Sequence, residues 1–155
     1  NRFGAFAMAD SQIDIVEAID DVKKYFSIDD EKIIIGGFSM GGYGALRTYY
    51  ENPNMYQGVA VFAGHPDLAN QWGVTGTHPN FLDNKFTKVF KKTPVFIYHG
   101  TNDEALSFKS IQQLKATLQE AGAKVTSSFV EGRGHRYQDK NTNKIYHQWL
   151  EQFMQ

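Results

Sequence analysis

The 155-residue chain contains 41% hydrophobic, 14% aromatic and 21% charged residues, the composition of one globular domain and not of a disordered or collagen-like polymer. Sixteen Lys plus Arg against seventeen Asp plus Glu leave a formal charge of -1, which argues against nucleic acid or an anionic membrane surface as a partner. The absence of Cys removes disulfides, thiol nucleophiles and thiolate metal sites, and leaves the compartment, cytoplasmic or secreted, open.

From Ser11 to Phe26 the apolar residues Ile15, Ile19, Val22 and Phe26 recur at helical spacing, with Asp14, Glu17, Asp20 and Asp21 between them. This predicts an amphipathic helix with Ser11 at its N-cap. Lys32 to Gly36 holds three consecutive Ile, too short for a helix and too apolar for an exposed strand, so a buried parallel strand is expected. A helix from Met40 to Glu51 is stopped by Asn52-Pro53, and Gly58 to Phe62 reads as a second strand. Pro94 to His99 is a third strand. Ile111, Leu114, Leu118 and Ala121 mark a helix closed by Gly122, and a fourth strand covers Val125 to Val130. Ile145, Trp149 and Phe153 line one face of a last helix. Strands alternating with helices predict an α/β fold, a mainly parallel sheet with helices on both faces. The stretch 63–93, rich in Gly, Asn, His and Pro, is expected to be a lid-like insertion.

Gly37-Phe38-Ser39-Met40-Gly41 lies between a predicted strand and a predicted helix, the context of a nucleophile elbow. There a serine is held in a strained turn with its hydroxyl exposed, and a Cβ at either flanking glycine is expected to clash. The helix starting at Met40 aims its first N–H groups at the site, so the Met40 amide is a candidate oxyanion donor. A serine needs a histidine as base, and the histidine needs an acid to set its tautomer. Asp103 follows the third predicted strand and His135 the fourth, so Ser39, Asp103 and His135 fall at the carboxyl ends of strands, in that order. Asp67 and His65, after the second strand, are rivals for the acid and base. His65, Asp67 and His78 lack the tight third ligand of a metal site, and no metal is assigned. His99 is expected to fix a strand end near Asp103. Trp72, His78 and Phe81 either line a substrate pocket or anchor the insertion, and Tyr137, beside His135, is open between packing and substrate binding.

On the run Gly36 to Gly42, the acidic helix Asp14 to Phe26, the H-G-x-x-D pattern His99 to Asp103 and the glycine-flanked His135, the chain resembles the α/β-hydrolase superfamily, in its esterase and prolyl-oligopeptidase-like branches. The resemblance covers nearly all of residues 1–155 as one domain. It implies Ser39 as nucleophile, His135 as general base and acid, Asp103 as orienting carboxylate, Met40 as oxyanion donor, and no cofactor. The superfamily's sheet is larger, so the resemblance also implies that its N-terminal strands, and the loop carrying a second oxyanion amide, are not represented. The elbow strand would then be the sheet edge, where a partner chain or missing segment is expected. The implied activity is serine hydrolysis of carboxylic esters, small molecules or acetyl and feruloyl esters of polysaccharide. A peptidase of the same branch and a noncatalytic interaction domain are the alternatives.

Overall fold

The computed structural model describes residues 9–136 and 140–154. Six helices and four strands follow in the order α1 (Ala9–Tyr25), β1 (Ile34–Phe38), α2 (Met40–Glu51), β2 (Gly58–Phe62), α3 (Leu68–Gln71), α4 (Asn84–Thr87), β3 (Pro94–Gly100), α5 (Phe108–Glu120), β4 (Lys124–Val130) and α6 (Lys140–Glu151). The strands form a sheet of order β1-β2-β3-β4 with every pairing parallel.

Register decides which side chains meet. Val59 pairs with Val95 and Val61 with Ile97, while Ala60 pairs with Phe96 and Phe62 with Tyr98. Because side chains alternate along a strand, the first set shares one face and the second the other. Val59, Val61, Val95 and Ile97 belong to a core with Leu46 of α2 and Ile111, Leu114 and Leu118 of α5. On the opposite face Ala60, Phe62, Phe96 and Tyr98 meet Trp149 of α6, with Ile145, Tyr146 and Phe153 beside it. The expected parallel sheet covered on both faces is therefore present.

The ends of α2 and α5 follow from local chemistry. Pro53 lies just beyond α2, and Gly122 adopts φ +86° after α5. The Gly122 N–H then reaches Gln119 O at 2.9 Å and the Ala123 N–H reaches Leu118 O at 3.0 Å, satisfying carbonyls that the helix leaves open. In the 63–93 stretch Phe81 and Phe90 are fully buried, and the Phe81 N–H donates to Pro66 O at 3.0 Å.

Two expectations need correction, and one further feature goes with the second. Ser11 lies inside α1 and is not its N-cap. β1 is half-buried, with Gly36 exposed, because among the described residues it is the edge of the sheet and pairs only with β2. For the same reason the apolar face of α1 is incompletely covered: Val22 is 46% and Phe26 66% exposed, and an open apolar cleft of about 400 Å³ lies among Ile15, Ile19, Val22, Ile33, Ile35 and Tyr56.

α6 depends on one large side chain. Trp149 is 4% exposed, and its ring lies 5.8 Å from Phe96, 5.7 Å from Tyr146 and 5.0 Å from Phe153. Among the described residues its buried Nε1–H has no partner. Trp149→Ala should lower unfolding free energy by roughly 3–5 kcal/mol in urea titrations, whereas Trp149→Phe, which also removes the orphan donor, should lose much less.

Candidate active site

The site is assembled at the carboxyl end of the sheet. Ser39, between β1 and α2, has φ 55° and ψ -117°, a conformation that a non-glycine residue adopts only when its surroundings enforce it. Its N–H donates to Phe62 O at 2.8 Å, tying the turn to the end of β2. A Cβ at Gly37 would lie 2.1 Å from Gly41 O, and one at Gly42 would lie 2.5 Å from Gly64 Cα. The turn and the packing of α2 on the loop after β2 thus both need bare backbone. Gly41 corrects the sequence reading, because a Cβ there would meet nothing within 4 Å. The essential second glycine is Gly42, whose constraint comes from a distant loop.

Asp103 and His135 are brought together by backbone bonds between the segments after β3 and β4. The Thr101 N–H donates to Val130 O at 3.0 Å, the Asn102 N–H to Arg133 O at 2.9 Å, and the Gly132 N–H to Thr101 Oγ1 at 2.9 Å. Gly100 admits this approach, since a Cβ there would sit 2.2 Å from Arg133 O. Within this frame Asp103 Oδ1 accepts the N–H groups of Ala105 and Leu106, each at 2.9 Å. Its other oxygen, Oδ2, faces His135 Nδ1 at 2.7 Å, and His135 Nε2 lies 2.9 Å from Ser39 Oγ.

The proton positions follow from the partners. A carboxylate only accepts, so His135 Nδ1 carries the proton; Nε2 of the neutral ring is then the acceptor for the Ser39 hydroxyl. The Asp103 side chain is fully buried, whereas that of His135 is 26% exposed and packs its ring 4.9 Å from Phe38. Met40 opens α2, where first-turn amides have no intrahelical acceptor, so its N–H is placed to meet negative charge beside Ser39.

The rival residues go elsewhere. His65 Nδ1 accepts the Asp67 N–H at 3.1 Å, and its Nε2–H donates to Gln71 Oε1 at 2.7 Å. Asp67 Oδ1 accepts from Asn70. His78 Nδ1 accepts from Arg47 Nη1 at 2.7 Å, because arginine only donates, and its Nε2–H goes to Thr75 O at 2.9 Å. The Arg47 bond ties His78 to α2 and the others lie within the 63–93 stretch, and no group of three or more metal-ligating side chains forms among the described residues.

Trp72 is 60% exposed on the loop after α3. Phe81 is a correction: it is fully buried, with its ring 5.9 Å from Tyr43 and 5.9 Å from Phe90, so it is core and not pocket wall. Tyr137 lies outside the described residues. Tyr43 is also core; burial pushes its phenol up to about 12, and its hydroxyl donates to Pro79 O at 3.1 Å. Reading side chains alone misses Leu106 and Arg133, which contribute backbone groups that carry no sequence signature.

Residues 7–151 match the phospholipase/carboxylesterase family. Among similar proteins, a probable carboxylesterase SOBER1-like of Arabidopsis thaliana is 31% identical over 140 residues, covering 90% of this chain and 49% of that protein. A bifunctional acetylxylan esterase/xylanase of Neocallimastix patriciarum is 29% identical over 98 residues, covering 63% of this chain and 12% of that protein. The crystal structure of Arabidopsis thaliana SOBER1 superimposes with a TM-score of 0.66 at 26% identity, over 92% of this chain and 63% of that one. The chain thus spans about half the length of the curated carboxylesterases it matches.

The glycine geometry separates two otherwise similar substitutions. Gly37→Ala should disrupt the elbow and abolish rapid labelling of Ser39 by a fluorophosphonate, and Gly41→Ala should leave labelling near the parent rate. Protonation provides a second expectation. Burial pushes the pKa of His99 below its ordinary value, so the folded state keeps this ring neutral where the unfolded chain binds a proton. Its contribution is destabilising as pH falls below about 6.5, with a slope approaching ~1.4 kcal/mol per pH unit until the lowered folded pKa is reached. Urea titrations across this range should show a shallower loss of stability for His99→Gln than for the parent.

Proposed function

The chain belongs to the phospholipase/carboxylesterase family of α/β-hydrolases, and on that footing we propose that it cleaves carboxylic esters through an acyl-enzyme on Ser39. The observation that carries this reading is the continuous line from Asp103 Oδ2 through His135, at 2.7 Å, to Ser39 Oγ, at 2.9 Å. Serine at its free pKa is a weak nucleophile, and this arrangement removes its proton as it attacks. Ser39 Oγ bonds to the ester carbonyl carbon while His135 Nε2 takes the hydroxyl proton, and the Met40 amide stabilises the resulting oxyanion. Collapse expels the alcohol, which takes the proton from His135. Water then repeats the sequence: its oxygen bonds to the acyl carbon as His135 Nε2 takes its proton, the bond from that carbon to Ser39 Oγ breaks, His135 returns the proton to Ser39 Oγ, and the carboxylic acid leaves.

Asp103 stays ionised and holds the imidazolium that forms twice per turnover. Burial of the carboxylate would be costly alone, but its two oxygens receive the N–H groups of Ala105, Leu106 and His135. In this reading Ser39 supplies the nucleophile, His135 the proton transfer and the Met40 amide one oxyanion donor.

The finer assignment is to acetyl or feruloyl esters of polysaccharide. Its acetyl part is supported by the likeness to the Neocallimastix patriciarum protein, named as a bifunctional acetylxylan esterase/xylanase, across 63% of this chain. The similarity to the plant carboxylesterase supports the broader class of carboxylic esters.

Intact-mass measurement after fluorophosphonate treatment tests the mechanism. The parent should gain one adduct, Ser39→Ala none, and Asp103→Asn should label about ten-thousandfold more slowly. Nitrophenyl acetate should be hydrolysed and an aminoacyl nitroanilide left intact. Amide turnover would instead support a peptidase, and a folded parent that neither labels nor turns over would leave an interaction domain.

A further inference from the structure

A second imidazole converges on the carboxylate of Asp103. His99, near the end of β3, has a fully buried side chain, and its Nε2 lies 3.2 Å from Leu106 O and 3.6 Å from Asp103 Oδ2. The Leu106 carbonyl only accepts, so Nε2 carries the proton. Among the described residues Nδ1 is buried with no partner, and the ring lies nearly parallel to Phe108 at 6.2 Å. A proton on Nδ1 would bury an unpaired cationic N–H, so the ring is neutral and its tautomer is set by Leu106.

The Leu106 residue is therefore gripped from both sides. Its carbonyl accepts from His99, and its N–H donates to Asp103 Oδ1 at 2.9 Å. Asp103 in turn presents Oδ2 to His135. We propose that His99 is a positioning residue for the triad, holding the Leu106 carbonyl so that the Leu106 N–H fixes the Asp103 carboxylate against His135 Nδ1. This rests on the assignment of Ser39, His135 and Asp103 as the reacting set. A residue that only filled the core at this place would need bulk and no N–H. The geometry instead requires one donor at the position of Nε2.

Neutrality is part of the same role. Were His99 charged, its Nε2–H would be a second cation 3.6 Å from the oxygen that serves His135, drawing carboxylate charge away from the catalytic base. A buried ring with an unpartnered Nδ1 resists that charge and leaves Asp103 Oδ2 to His135.

The test compares His99→Gln, whose amide nitrogen can reach the position of Nε2, with His99→Asn, whose shorter amide cannot, and His99→Phe, which keeps the bulk and loses the donor. Thermal melting identifies the folded variants. Proton NMR then follows the His135 Nδ1–H resonance, which reports the hydrogen bond to Asp103 without turnover, and esterase assays separate kcat from KM. In Asn and Phe variants that fold, the resonance should broaden or shift upfield and kcat should fall by about a hundredfold with KM little changed, as expected for a displaced catalytic group. Gln should restore both signals towards the parent. An unchanged His135 resonance and unchanged kcat in folded Asn or Phe variants would overturn the proposal, as would folded Gln behaving like Asn. If the parent itself shows no esterase activity, the ester-hydrolase assignment fails separately, and the His135 resonance still decides the role of His99. Should Phe fail to fold, the Gln and Asn pair gives the decision.

Discussion

The left-handed turn at Ser39 is the constraint around which the rest of the site is arranged. A side chain at φ 55° costs on the order of 1–3 kcal/mol relative to relaxed backbone. It persists because β1 and α2 cannot both keep their packing unless the chain reverses there. The Phe62 carbonyl takes the Ser39 N–H, and the missing side chains of Gly37 and Gly42 let the turn and the first helical residues close on neighbouring backbone. The strain raises the hydroxyl out of the sheet and places the start of α2 beneath it. Both consequences suit the proposed nucleophilic role of Ser39, since the helix end that exposes the serine also presents N–H groups beside it.

The second constraint is a buried carboxylate. Asp103 is removed from water entirely, and an unpaired charge there would destabilise the fold by several kcal/mol, on the order of ~3–5. The chain meets this with a tight loop in which Ala105 and Leu106 turn their N–H groups inward, leaving one oxygen directed at His135. The loops after β3 and β4 are joined through Val130 and Arg133 carbonyls, so Asp103 and His135 are held by backbone bonds as well as by their own. His99 belongs to the same arrangement. Its burial disfavours charge, and its donation to Leu106 links the end of β3 to the loop that carries the acid.

The β1 edge of the sheet, whose carboxyl end leads into Ser39, is less well covered along its length. Among the described residues β1 has a neighbour on one side only, and the Ile-rich run that would suit a central strand is half-buried. α1 shares this condition: Gln12 meets Thr48 of α2 in a buried hydrogen bond of 2.8 Å, while Val22 and Phe26 remain exposed. Amphipathic spacing correctly identified the helix. It did not reveal how much of the apolar stripe would be covered, because cover depends on which strand ends the sheet.

The elements legible in the sequence were those governed by short-range physics. Strands of β-branched and aromatic residues and the terminators Asn52-Pro53 and Gly122 act through nearest neighbours or one helical turn, so β2, β3, β4, α2 and α5 could be read locally. Ser39, Asp103 and His135 were legible because strand, turn and helix order places all three on one end of a parallel sheet. What the tertiary structure alone decided was set by groups far apart along the chain. Phe81 entered the core because Tyr43 and Phe90 surround it, and Gly42, not Gly41, became indispensable because Gly64 packs on it. The hold on Asp103 runs partly through the Leu106 backbone, and every residue has an N–H and a carbonyl; only folding determines which of these identical groups meets a buried acid.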